Sequence, residues 1–242
     1  MEPAPSPGID PLLRHRQFAA RESGGTSEDI IYSLVLDLIT RFDLYGDVLD
    51  FGAGIGSLSE KLFSLQRFES VHAIDLLPHP AEISEGIHWT SSDLNDKVPY
   101  ANNSFDTVVA AEVFEHLENP RFVARELFRV LRPGGTLLLT TPNNESWRSL
   151  LSLVVRGHHV AFGERSYPAH ITPLLCIDVR WILKEAGFSD PVFCYTNKGG
   201  LPGFPRTSWQ KVSLGLLHGR RFSDNVCAVA RKKAGCETSA AE

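Results

Sequence analysis

Val48-Leu49-Asp50-Phe51-Gly52-Ala53-Gly54-Ile55-Gly56-Ser57 reads as a buried strand that runs into three glycines at alternate positions and then into a helix. A turn without Cβ atoms lets a cofactor press against bare backbone, so the stretch points to an enzyme on an α/β sheet. The dinucleotide fingerprint is G-x-G-x-x-G. Here Ser57 stands where its third glycine would fall, which counts against a nicotinamide-dependent oxidoreductase. No G-x-x-x-x-G-K-[S/T] run occurs, which excludes a P-loop.

Outward from this turn the pattern alternates. Residues 47–51 read as the first strand, 58–65 as a helix, 70–75 as the second strand and 87–92 as the third. Residues 105–111 read as a strand whose apolar run, Val108 to Ala111, is that expected of a strand covered on both faces. Pro120 opens a helix through 131, Pro133-Gly134-Gly135 stops it, and 136–140 is the next strand. A helix starting at Thr172 or Pro173 reaches Ala186, and 191–195 and 225–230 are the last strands. Before the turn, Thr26 or Ser27 is expected to cap a helix carrying Ile30, Ile31, Leu34, Val35, Leu38 and Ile39. Strands alternating with helices imply right-handed crossovers and a parallel sheet. The second and third strands end in acids: Asp75 can accept both hydroxyls of a ribose, and Asp93 can receive the amino group of an adenine.

The chain has 242 residues, 43% of them hydrophobic, enough for one sizeable core. We read a disordered lead at 1–25, one domain at 26–233 with insertions at about 143–170 and 196–221, and a flexible tail at 234–242. The N-terminus lacks a basic-then-apolar signal pattern and no apolar run approaches a membrane span, so the expected location is the cytoplasm. Cys176, Cys194, Cys227 and Cys236 form no CxxC pair and read as core residues plus one tail thiol. The net charge of −5 implies no general nucleic-acid surface. Yet 198–233 holds eight Lys/Arg against one acid, Asp224. That segment reads first as a solvated edge, and alternatively as a rim for an anionic acceptor or membrane surface.

The motifs together resemble class I S-adenosylmethionine-dependent methyltransferases. Residues 48–56 look like motif I, Asp75 like the acidic end of strand two, and Ser92-Asp93-Leu94 like the adenine-edge motif. Phe105-Asp106-Thr107-Val108-Val109 with Glu112-Val113-Phe114-Glu115-His116-Leu117 resembles the strand-four motif, and 122–135 the helix and strand that follow. The resemblance covers about 45–142 in the expected order. It implies a Rossmann-like seven-stranded, mostly parallel sheet with helices on both faces and a reversed final β-hairpin. It implies that S-adenosylmethionine is held by Asp50, Gly52, Ala53, Gly54, Gly56, Asp75, Leu76, Asp93, Leu94, Ala111 and Glu112. In that reading the glycines admit the methionine moiety, Asp50 orients its amino end, Asp75 holds the ribose, and Asp93 with Leu94 holds the adenine.

A hydroxyl acceptor must lose its proton on methylation, so a base or a metal is wanted. His116 follows Glu112 and Glu115 in an E-x-x-E-H pattern similar to that of ubiquinone-biosynthesis O-methyltransferases, where it is associated with a divalent metal. No metal is expected here: Glu115 and His116 read rather as loop caps touching cofactor or acceptor, with Glu112, Glu115 and His116 as the lesser, metal-holding reading. His170, in Pro168-Ala169-His170, closes the first insertion and should overhang the crevice as a candidate base, with His116 the second catalytic candidate. His158 and His159 read as the end of a lid helix without a catalytic part. Residues 147–155 read as a lid packed on the sheet, or alternatively as a segment dipping into a membrane surface to meet a lipid-linked acceptor. The run Thr141-Pro142-Asn143, a long insertion, Pro-x-His, then a helix ending Ala186-Gly187-Phe188 resembles, more loosely, methyltransferases found with bacterial glycan genes. The expected activity is O-methylation of a small molecule or glycan, with N- or C-methylation of a small molecule, or cofactor binding without catalysis, as alternatives.

Overall fold

In the computed structural model the chain is described from residue 10 to residue 234. The readings of 1–9 as disordered, of 235–242 as a flexible tail and of Cys236 as a tail thiol lie outside these residues.

Helix α1 (Pro11–Glu22) and α2 (Asp29–Arg41) precede β1 (Gly46–Phe51), α3 (Ser57–Ser64), β2 (Phe68–Asp75), β3 (Ile87–Ser91) and β4 (Phe105–Ala111). Then come α4 (Pro120–Val130), β5 (Leu131–Pro142), α5 (Trp147–Arg156), α6 (Cys176–Glu185) and β6 (Val192–Tyr195). A short ribbon, β7 (Gly200–Leu201) and β8 (Phe204–Ser208), leads through α7 (Trp209–Val212) to β9 (Asn225–Arg231). Seven strands form one sheet in the order β3-β2-β1-β4-β5-β9-β6. Only β9 runs against its neighbours β5 and β6, so the expected reversed final pair is present. Its two strands are joined by the long segment holding the ribbon rather than by a tight turn.

The register explains the alternation in burial. Leu49, Phe51, Val108, Ala110, Leu137 and Leu139 face one core with α4 and α6; Val48, Val109, Ala111 and Leu138 face the other with α2 and α3. Helix α4 forms because Asn119 accepts from the Phe122 amide at 3.0 Å and Pro120 occupies its first turn. Val123, Leu127 and Val130 then fall on one face and are fully buried. Each contributes roughly 2 kcal/mol by leaving water.

Four details differ from the sequence reading. Residues 11–22 are helical rather than disordered: Asp10 accepts from the Leu12 amide at 3.0 Å and Pro11 starts the turn. Helix α2 has Glu28 at its cap and no side-chain cap bond; Thr26 and Ser27 instead meet the Tyr32 hydroxyl. Strand β5 begins at Leu131, which pairs with Phe105 ahead of the Pro-Gly-Gly irregularity. Helix α6 begins only at Cys176, because the amides of Ile171 and Thr172 are spent on the Glu115 carbonyl and Pro173 disfavours helical geometry before it.

Sheet order reverses between β2 and β4 on either side of β1. The crevice outside the carboxyl ends of these strands is the ligand-binding place of an open α/β sheet. All segments discussed next converge there.

Candidate functional site

The turn after β1 is built for backbone, not side chains. Gly52, Gly54 and Gly56 have φ of 82°, 59° and 86°, a region that costs other residues about 1–2 kcal/mol. The space their Cβ atoms would need is taken by the protein itself. A Cβ on Gly52 would lie 2.3 Å from Val113, and one on Gly54 would lie 2.0 Å from the Gly25 carbonyl oxygen. Gly52 and Gly54 thus make room for Val113 and Gly25. Gly56 is the left-handed residue before α3, and a Cβ there would press on Ile83.

Asp75 clamps the turn. Its carboxylate accepts from the Gly54 amide and from the Leu77 amide, each at 2.8 Å. Asp50 is 1% exposed and accepts from the Ser59 hydroxyl at 2.6 Å; burial pushes its carboxyl up to about 7. Asp93 accepts from the Asn95 amide and is paired with Arg16 at 2.7 Å. Glu112 has a left-handed backbone, φ 55°, and its carboxyl is bound by Thr140 and Asn225. Such a conformation in a non-glycine residue is uncommon and often marks a working site.

These residues share one cavity of about 780 Å³, within the usual range of ligand pockets. Asp50, Gly52, Ala53, Gly54, Asp75, Leu76, Asp93, Leu94, Ala111, Glu112, Glu115, His116 and His170 all line it, and Gly56 does not.

The two histidines stand edge to face, their ring centroids 4.8 Å apart. Nδ1 of His116 bonds to the Ala169 carbonyl at 2.8 Å, and Nδ1 of His170 to the Ala161 carbonyl at 2.6 Å. A carbonyl only accepts, so each Nδ1 carries the proton and each Nε2 is left with a lone pair. Burial lowers His116 to about 4 and also lowers His170, so both rings are neutral at neutral pH. Glu115 is fully buried beside them; its Oε2 accepts from Thr141 at 3.3 Å and its Oε1 has no partner. Burial, with Glu112 nearby, raises its carboxyl well above the ordinary range.

The metal-compatible set differs from the one read in sequence. One ligand atom from each of Glu115, His116 and His170 lies within 4.8 Å of the others. Glu112 is not among them. The E-x-x-E-H run contains a tight 3-10 turn at Phe114–His116, and the Glu112 carboxyl is bound instead by Thr140 and Asn225.

The cavity also has walls that sequence reasoning missed. Helix α1 brings Arg16, Ala19 and Ala20 to it, and Gly25 follows. The Asp10-Pro11 pair was the signal that a helix starts there. From the insertions come Asn143, Asn144, Lys198 and Lys211. His159 bonds to Ser149 at 2.9 Å, and neither it nor His158 lines the cavity.

A family model described as a methyltransferase domain matches residues 13–190. The chain is 36% identical over 129 residues to the ubiquinone biosynthesis O-methyltransferase of Xanthomonas oryzae pv. oryzae, covering 49% of this chain and 53% of that protein. It thus spans about half the length of the curated relatives it matches. Among solved structures, a SAM dependent methyltransferase from Archaeoglobus fulgidus aligns with a TM-score of 0.60 at 19% identity, over 89% of this chain and 99% of that one. The Burkholderia thailandensis 1,6-didemethyltoxoflavin-N1-methyltransferase, solved with bound 1,6-didemethyltoxoflavin and S-adenosylhomocysteine, aligns with a TM-score of 0.59 at 16% identity, over 96% and 94%. These two likenesses concern the fold.

Proposed function

We propose a function from one premise: the chain belongs to the methyltransferase domain family. On our reading it is an S-adenosylmethionine-dependent methyltransferase that methylates a hydroxyl oxygen of a small molecule or glycan. The observation that carries this is a single cavity lined both by the β1 turn with Asp50 and Asp75 and by the His116–His170 pair.

The residues fit such a donor. Each oxygen of Asp75 accepts one backbone amide and keeps acceptor capacity for a ribose hydroxyl. Asp50, buried, and Glu112, half-buried, bring carboxyl groups to the cavity lining, as the ammonium of a methionine moiety requires. S-adenosylmethionine, when bound, supplies a methyl group on a sulfonium that an incoming lone pair displaces in line.

The rest of the chemistry falls to this chain. The oxygen–methyl bond forms as the hydroxyl gives up its proton, and the proton passes to Nε2 of His116 or His170. The Nδ1 bonds to Ala169 and Ala161 hold each ring in the tautomer that can take it. Glu115, with Oε1 otherwise unpartnered, stands by the resulting imidazolium. This reading needs no ion at the Glu115–His116–His170 cluster.

Calorimetric titration with S-adenosylmethionine and with NAD tests the donor half; saturable heat with the first alone is expected. Labelled-methyl transfer into fractionated cell extract tests the acceptor half. A product whose methyl sits on nitrogen or carbon would overturn the hydroxyl reading and leave the donor reading standing.

A further inference from the structure

Helix α5 is inside out. Trp147, Leu151, Val154 and Val155 follow the i, i+4, i+7, i+8 spacing of a helix face, and that face is in solvent, with Val154 83% and Val155 71% exposed. The buried side carries Ser149 and Ser152, and Arg148 and Ser149 line the cavity. Ten of the twenty large apolar side chains that stand exposed on the described residues belong to the two insertions, 143–170 and 196–221. An apolar stripe of this kind marks an interaction surface rather than scattered exposure.

Charge states what the surface meets. The chain as a whole is at −5, yet the two insertions hold eight Lys/Arg against two acids. The stripe itself is bracketed by bases: Arg221 lies over the Trp147 ring at 5.4 Å, and Arg156 closes the last turn of α5. Neither is in an ion pair among the described residues. An aromatic at one end, branched aliphatics between and exposed cations at both ends fit the boundary between anionic headgroups and acyl chains. A second copy of the chain fits worse, because α5 against α5 brings Arg156 and Arg221 onto like charges. No helix among the described residues is long and apolar enough to cross a membrane, so the contact is peripheral.

We infer that the outer face of α5 docks on an anionic bilayer surface, which sets the cavity behind α5 against the membrane. The inference does not depend on the acceptor chemistry, and its test needs no methyl transfer.

The test is flotation of the chain with phosphatidylcholine vesicles and with mixed phosphatidylcholine–phosphatidylglycerol vesicles. Binding to the mixed vesicles that weakens as salt rises is expected. Val154→Asp with Val155→Asp should lower it at least about tenfold, and Arg156→Glu should lower it as well. Both side chains are in solvent, so circular dichroism and thermal unfolding should match the parent; a double variant that binds as well as the parent overturns the inference. So does absence of flotation with mixed vesicles, or a concentration-dependent dimer in sedimentation that the double variant dissolves.

Discussion

The imidazoles of His116 and His170 meet edge to face at 4.8 Å, each with Nδ1 tied to a backbone carbonyl of the first insertion. One ring comes from the turn after β4 and the other from the end of that insertion, so the pair exists only when the insertion is folded onto the sheet. Replacing either ring by alanine should lower turnover about 10²–10⁴-fold while S-adenosylmethionine affinity stays unchanged, measured by steady-state kinetics and calorimetry. Because both rings titrate below the ordinary 6.5, activity should persist through pH 6.5 and fall only at more acid pH as the bases become protonated. Turnover abolished by chelators would replace the base by a metal.

Asp75 holds the glycine turn and faces the cavity with the same carboxylate. Asp75→Ala should weaken S-adenosylmethionine binding by about 10–100-fold, since bonds to a charged acceptor are worth about 1.5–3 kcal/mol. Calorimetry reads it, and an unchanged affinity would remove Asp75 from the donor site.

Asp50 is fully buried, with its pKa raised from 3.8 to about 7. The folded state therefore holds a proton that the unfolded state has released, and stability is lost as pH rises from about 4 to about 7. Asp50→Asn keeps an acceptor for Ser59 and has nothing to ionise. Without ligand, its stability relative to the parent should climb across that window by on the order of 4 kcal/mol at most, read by denaturant titration at several pH values. A difference independent of pH would show that Asp50 is not shifted.

Gly54 has no room for a methyl group. Gly54→Ala meets the Gly25 carbonyl oxygen at 2.0 Å with φ at 59°. The variant should lose more than about 2 kcal/mol of stability and most donor affinity. Thermal unfolding with calorimetry checks both.

Helix α1 has no buried residue, so the ion pairs of Arg16 with Asp93 and Glu118 tie it across the cleft. Arg16→Met should raise the rate of limited proteolysis within α1 roughly tenfold, for a loss of about 1–2 kcal/mol in local opening. Equal rates would place the anchorage elsewhere.

Much of this was legible in the chain. Strand 105–111 and the start of the helix at Pro120 match the observed β4 and α4, because continuous apolar runs and proline entry signals act locally. The expected donor residues other than Gly56 face one cavity, since the ends of neighbouring parallel strands share a crevice whatever the loops do. Helix α1 was misread because its proline-rich approach and polar surface resemble a disordered lead, although Asp10-Pro11 marked its start. The grouping of Glu112 with Glu115 and His116 failed because a 3-10 turn does not bring i, i+3 and i+4 together as an α-helix does, and Glu112 leaves with a positive φ.

Sequence by itself determined the order along the chain of the strands of the main sheet, the glycine turn and the acids beyond it, because these follow from short-range periodicity and from the geometry of parallel crossovers. Tertiary structure alone decided that His170 reaches His116, that Arg16 reaches Asp93, and that Gly25 and Val113 fill the space beside the glycines. It also decided which side of α5 faces out. A helical repeat fixes that an apolar face exists, whereas packing against the rest of the chain settles whether that face is turned to the core or away from it.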